Sequence, residues 1–284
     1  GRGSNKKIEL TGIKKLRELI LELAVHGQLV PQDPNDEPAA ILLEKIAAEK
    51  AQLIKDKKIK KPKALLEISD DEKPFELPAG WKWDRLGNLG NTQTGGTPKK
   101  SNPEHYGNDI PFIKPADIMP SYVDYNNVRL SLEGNSALGR IAPANSILMV
   151  CIGTIGKCNY IEHDCAFNQQ INSFTPYLDI TAYSYRAVSS NYFQNLAWGL
   201  SSSTTIAILN KGKWDTLPIP IPPLAEQHRI VTKIGELMAL CDQLEQQTED
   251  SITAHQTLVE TLLATLTSSE NTQAFNQNWA RIAE

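Results

Sequence analysis

The sequence lacks any run of 18 consecutive apolar residues, so no segment reads as a membrane-spanning helix. It is poor in cysteine: four in 284 residues, with no dense framework. That excludes a disulfide-stapled scaffold and fits a reducing, cytoplasmic setting. It has no excess of positive charge. The net of −4 removes the simplest argument for a nucleic-acid partner, because domains that bind phosphates are usually basic. Catalytic signatures are missing too. No Asn-Pro-Pro-Phe or Asp-Pro-Pro-Tyr motif, no glycine loop for S-adenosylmethionine and no Asp…Glu-x-Lys cluster is present. Asp109-Ile110-Pro111-Phe112 approaches the first of these but lacks the second proline.

Two partial motifs are set aside on spacing. Gly153-Thr154-Ile155-Gly156-Lys157 resembles the end of a P-loop, but Cys151 and Cys158 stand where the motif needs Gly and Ser/Thr. It reads better as a tight glycine turn that displays Lys157, able to approach a phosphate or simply to reverse the chain. Cys151, Cys158, His163 and Cys165 have no C-x2-C knuckle, and strand alternation buries Cys151 and Cys165 as small hydrophobes. No metal site is assigned.

What is there is organised in blocks. Gly1-Arg2-Gly3-Ser4 reads as a cloning scar. Ile13, Leu16, Leu19, Ile20 and Leu23 keep one helix face, with Gly27 as a stop, and a second helix is expected from about Pro38 to Lys58. Lys55 to Lys63 then holds six lysines in nine residues, a solvated linker or a phosphate-contacting strap. Residues 88–215 change to short strand-like runs such as Ile147–Ile152 and Ile171–Tyr177, separated by turns, with one helix over Thr181–Trp198. Leu217-Pro218-Ile219-Pro220-Ile221-Pro222-Pro223 alternates apolar residues with proline, which suits an edge strand. The expected segments are 1–4, a helical spacer with its basic linker at 5–77, a mixed α/β domain at 78–225, and a long helical region at 226–284.

The acidity lies in the last block. Residues 226–284 carry three Lys/Arg against nine Asp/Glu, whereas 88–215 carry nine of each. The middle block can therefore gather its cations on one face. Gly95, Gly96, Thr97, Lys99 and Lys100 form a flexible turn. Lys114 sits in a proline-flanked loop. Thr154 and Lys157 belong to the glycine turn. Ser202, Ser203 and Thr204, with Lys211 and Lys213 beyond, make a hydroxyl-rich loop. Hydroxyls and ammoniums are the usual phosphate ligands, although each loop also reads as plain solvated surface. Asn168, Gln169 and Gln170 offer amides of the kind that pair with adenine N6 and N7, or else a polar turn before a strand.

In the last block Ile230, Ile234, Leu237, Cys241 and Leu244 alternate four and three apart. The seam turns polar and resumes at Leu258 and Leu262. A helix over 230–266 would span about 55 Å at 1.5 Å per residue. Such a seam needs a partner, either the apolar face of residues 11–25 or a helix of another chain.

Several stretches, in order, resemble the specificity subunits of type I restriction-modification enzymes. Residues 16–32 look like the conserved spacer of that family, and Phe75-Glu76-Leu77-Pro78-Ala79-Gly80-Trp81-Lys82-Trp83 like the entry to its target recognition domain. Residues 95–98, 109–114, 152–157 and 168–172 resemble landmarks within that domain, and 217–231 the segment that closes it. The resemblance implies an α/β recognition domain flanked by long helices in a coiled-coil-like spacer. It implies a non-catalytic reader of one half of a bipartite double-stranded DNA site. Its partners would be methyltransferase subunits, which hold S-adenosylmethionine, and a restriction/translocase subunit. The family plan has two recognition domains and this chain has one, so an N-terminal half of a longer subunit is expected, with a half-sized subunit that forms a homodimer as the alternative. Two readings of other classes stay open: a coiled-coil scaffold whose globule binds protein, and an enzyme with a site near the cysteines.

Overall fold

The computed structural model describes residues 2–99, 101–202 and 206–283, with side chains from Thr11 to Ile282. Helices α1 (Arg2–Val25) and α2 (Ala39–Lys55) come first. After an irregular stretch follow β1 (Lys82–Arg85), α3 (Leu86–Leu89), β2 (Gly90–Thr94), β3 (Tyr106–Ile113), β4 (Arg129–Leu130) and α4 (Leu132–Leu138). Then come β5 (Ile147–Val150), β6 (Cys158–Tyr160), β7 (Ala166–Phe167), β8 (Ile171–Pro176), α5 (Thr181–Ser189), α6 (Asn191–Leu200), α7 (Lys211–Asp215) and β9 (Pro218–Ile221). The chain closes with α8 (Leu224–Thr267) and α9 (Thr272–Ala283). The expected mixed α/β domain between long helices is what the chain forms.

Three small sheets build the middle. An antiparallel sheet has the order β2-β8-β5-β6; β3 pairs antiparallel with β4 and parallel with β7; β1 pairs with β9. Every residue of β5 is buried, which fits its continuous apolar run, and so are Ile171, Asn172, Ser173 and Phe174 of β8 despite the two polar residues among them. One core cluster joins Leu148 and Val150 of β5 to Ile113, Phe167 and Ile171, together with Cys165.

The proline segment behaves as its alternation requires. Among the described residues β9 joins only β1, with Trp83 opposite Pro220 and Arg85 opposite Pro218, so none of the prolines of this segment sits in the middle of a sheet. Domain entry and exit are thus adjacent strands. Two expected helices differ in detail. The second ends at Lys55, because Lys57 adopts a left-handed φ of 59°. The single helix over 181–198 is two. Ser190 is extended, its hydroxyl accepts from the Phe193 N–H at 3.3 Å, and it caps a new helix.

The chain divides into two compact units, residues 20–234 and residues 1–19 with 235–284. Both borders fall inside helices, α1 and α8, rather than at 77/78 and 225/226. The physical cause is a set of ties within the larger unit. Glu226, in the first turn of α8, is 1% exposed. Its carboxylate accepts from Trp81 Nε1 at 2.9 Å and from Gln32 Nε2 at 3.0 Å. Arg229 pairs with Asp36 at 2.6 Å. The end of α1 and the base of α8 therefore belong to the body that carries the sheets. In the smaller unit Arg17 pairs with Asp242 and Glu245 at 2.5 and 2.8 Å.

Residues 60–69 have no regular structure but are not loose. Buried Arg85 donates to Leu66 O, Glu67 O, Thr216 O and both oxygens of Glu72, at 2.7–2.9 Å. This guanidinium staples the linker to the domain. It also holds the Glu72 carboxyl well below its usual 4.5, at about 2.

Two outcomes follow. Glu226→Ala strands the buried Trp81 N–H, so urea unfolding should show a loss of about 1–3 kcal/mol, and a loss under about 0.5 would contradict this role. The Glu72–Arg85 staple is complete above about pH 4.5 and weakens as pH falls toward 2, because a depressed carboxylate pKa adds stability only where the unfolded group is ionised. An NMR titration of the Glu72 side chain should show a midpoint near 2 in the folded chain, and a midpoint near 4.5 would show that the staple does not hold in solution.

Candidate nucleic-acid interface

Backbone hydrogen bonds, not side-chain affinity, bring most of the candidate loops together. Gly95 N donates to Ile171 O at 3.0 Å and Gly96 N to Phe167 O at 2.9 Å. Asn168 N donates to Ile113 O at 3.0 Å, next to Lys114, and Cys151 N to Gln170 O at 2.7 Å. The glycine turn after Cys151 meets the hydroxyl-rich loop, where Gly153 N donates to Ala207 O and Ser202 pairs with Ile208, all at 2.9 Å. Four segments distant in sequence, around 95–97, 113–115, 151–157 and 168–170, thus converge, and the Ser202 strand end lies beside the third. Lys100, Ser203 and Thr204 lie outside the described residues.

The first turn is not the flexible element that its two glycines suggested. A Cβ on Gly95 would stand 2.1 Å from Asn168 O and 2.3 Å from Phe167 O. Glycine is there so that two backbones can touch. That contact sets Thr97 against Gln169, whose side-chain oxygen accepts the Thr97 hydroxyl. Gln169 is exposed, and its Nε2 makes no hydrogen bond among the described residues. Lys99 is exposed two residues on.

The neighbouring amides have other tasks. Asn168 is buried; its Oδ1 accepts from Gln170 N at 3.0 Å and its Nδ2 donates to Gln170 Oε1 at 3.1 Å. It shapes the loop, and Gln170 is half spent on it. Lys157 is not displayed by its turn, because its ammonium donates to Pro115 O at 2.8 Å and ties the turn to the Lys114 loop. Gly156 is pinned by Gln194, whose amide would collide with any Cβ there and whose Nε2 donates to Gly156 O at 3.1 Å. Lys114 is half-buried and Thr154 exposed. Lys211 is paired with Asp215 at 2.6 Å and Lys213 donates to Leu200 O at 2.9 Å. Both line a neighbouring groove rather than the Gln169 cluster.

One residue escaped the sequence. Arg140 is exposed, and Nη1 donates to Thr94 O and Gly95 O at 2.8 and 2.9 Å. It braces the Gly95 turn from behind with its other nitrogens free. The only signal was its position after Gly139, the left-handed cap of α4.

Cys151 and Cys165 are buried, and burial pushes both thiols up to about 12 and that of Cys158 to about 11. A thiol held neutral is a poor nucleophile and a poor metal ligand. Among the described residues no group of three or more His, Cys, Asp or Glu is placed to hold a metal ion. No helix among them is long and apolar enough to cross a membrane.

In unit 1–19 with 235–284, the helical seam is covered unevenly. Cys241 is buried and Leu237 half-buried, near the Arg17 ion pairs. Leu244 and Leu258 are 46% and 54% exposed, while Leu262 is half-buried. Ile230 and Ile234 are fully buried, but in the larger unit.

Comparison with known proteins agrees with this architecture. Residues 78–254 match the model of the type I restriction modification DNA specificity domain. The chain is 42% identical over 300 residues to the type I restriction enzyme EcoAI specificity subunit of Escherichia coli. It is 42% identical over 298 residues to the EcoEI specificity subunit of the same species. In both cases all of this chain is covered, but only 49% of the relative, so it spans about half their length. A chain from a solved structure described as "Structural basis underlying complex assembly and conformational transition of the type I R-M system" superposes with a TM-score of 0.53 at 19% identity. That match covers 90% of this chain and 55% of the other, a likeness of fold. From its matched residues, the chain belongs to the family of type I restriction modification DNA specificity domains.

Proposed function

We propose that this chain reads one half of a bipartite double-stranded DNA target as the specificity component of a type I restriction-modification system, and that it catalyses nothing itself. The observation that carries the reading is Gln169. It is an exposed amide with free N–H donors, held from below by Thr97 and by a loop whose own hydrogen bonds are satisfied. A reader of base edges needs that arrangement, because discrimination depends on donors fixed to within a few tenths of an ångström. Lys99, Thr154 and Ser202, on the converging loops, serve as phosphate ligands, while Asn168, Gln170 and Lys157 position the loops. Residues 78–225 act as the recognition domain.

The partners in this reading are methyltransferase subunits, which bind S-adenosylmethionine, and a restriction/translocase subunit, all in the cytoplasm. The exposed stretch of the α8 seam, at Leu244 and Leu258, is where helices of those partners or of a second copy would dock. Similarity to the EcoAI and EcoEI specificity subunits supports this, as does the family match over residues 78–254. The scaffold reading explains the helices but leaves the Gln169 cluster without a purpose.

Methylation-site mapping in cells that carry this chain with its methyltransferase tests the reading directly: one split adenine-containing site should appear. Gln169→Ala should relax one position of it, at about 1–3 kcal/mol of discrimination. Lys99→Ala should instead weaken every sequence alike and lower the salt slope by about 0.9. Methylation that keeps full specificity in Gln169→Ala would remove Gln169 from the reading surface. For the helix, Leu244→Asp should abolish association with partner or second copy at an unchanged unfolding midpoint, and Leu237→Asp should in addition lower that midpoint. Sedimentation at wild-type stoichiometry for both variants would sink this part.

A further inference from the structure

Beside the Gln169 cluster runs a groove of about 1420 Å³ that the reading above does not use. One wall is the lysine strap, with Lys58, Lys60, Lys61 and Lys63 along it. The other is β2 and the start of α7, with Arg140, Lys211 and Lys213. Eight Lys or Arg line it against three Asp or Glu. That balance stands out in a chain whose net charge is −4.

The strap ammoniums are exposed and make no hydrogen bond or ion pair among the described residues. Four of them in six residues concentrate positive potential on this wall. The backbone of the strap is anchored at its ends, where Lys58 N donates to Leu53 O at 2.9 Å and Arg85 donates to Leu66 O and Glu67 O at 2.7 and 2.9 Å. The row of charge therefore stays beside the groove.

We propose that this groove binds the phosphodiester backbone of duplex DNA outside the bases that Gln169 reads, with the strap lysines and Arg140 as the phosphate ligands. The proposal rests on the DNA-reading function above and adds a second, sequence-blind contact to it. Three features select phosphate over an acidic protein. Arg140 bridges the two sites, since it lines the groove while its Nη1 holds the Gly95 turn. Residues 60–63, beyond the bend at 58–59, have no regular structure, and four extended residues reach about 13–14 Å, over a third of the roughly 34 Å DNA turn. Finally, Lys211 and Lys213 are bound internally at one wall, so the free charge sits on the strap, facing open solvent rather than an apolar seat.

The test uses the full chain and a mixed-sequence duplex of about 30 bp, roughly three turns, titrated across a salt series. The variants are K58Q/K60Q/K61Q/K63Q and Q169A, with K14Q/K15Q, outside the groove, as the control. The strap variant should lower affinity for cognate and unrelated duplexes by the same factor. It should reduce the slope of log K against log salt by about 3–4, at about 0.9 per contact. Its discrimination between the two duplexes should stay at the wild-type value. A wild-type slope in the strap variant, while Q169A still loses discrimination, would overturn the groove contact and leave the reading function intact. Loss of cognate binding alone, or loss of self-association with DNA binding unchanged, would also overturn it. No salt-dependent binding by the wild-type chain would overturn both.

Discussion

A buried carboxylate at the head of the long helix governs this fold. Glu226 is ionisable and almost wholly enclosed, which is costly unless every oxygen has a donor. Trp81 supplies one from the entry strand region and Gln32 another from the segment after α1. The free N–H groups of the first helical turn favour a negative charge there too. Stretches of chain 145 and 194 residues away in sequence are thus locked to one side chain. β1 and β9 add a ladder alongside, and Arg229 with Asp36 a second lock. The base of both long helices is therefore as rigid as the sheets.

The loop cluster inherits that rigidity. Its segments are joined by backbone N–H···O bonds, which tolerate almost any side chain at the surface. The few residues that are constrained, Gly95, Asn168, Lys157 and Gln194, keep the loops in register. Labour is divided accordingly. A small set of inward residues fixes the platform, and outward ones such as Gln169 and Lys99 stay free to meet a ligand. The linker follows the same logic, with Arg85 inward as the fastener and the lysines outward.

Much of this was legible in the sequence because it is local. The proline alternation after Leu217, the four–three seam of α8 and the ordered landmarks of the recognition domain are patterns within short windows. What was not legible depends on partners far away. Lys157 looks like a free cation until Pro115 O is seen beside it. Asn168 looks like a base reader until it is found bonded to Gln170. Arg140 carries no motif at all, and its role arises from the carbonyls of Thr94 and Gly95. The Ser190 cap was local, but one serine in a helical pattern is weak beside the apolar positions on either side. The lysine run was visible as charge; only the bonds of Arg85 to Leu66 O and Glu67 O show that the chain just beyond it is tied to the domain.

The neighbouring entry and exit strands have a further consequence. Lys82 lies opposite Ile221, so the chain enters and leaves the recognition body through one narrow doorway. Everything between those strands forms a closed excursion that returns to where it began. A different excursion could stand in its place only if its two ends still pair and it still answers the contacts made from outside, such as those of Arg85 with Leu66 O and Glu67 O and of Tyr192 N with the Glu22 carboxylate.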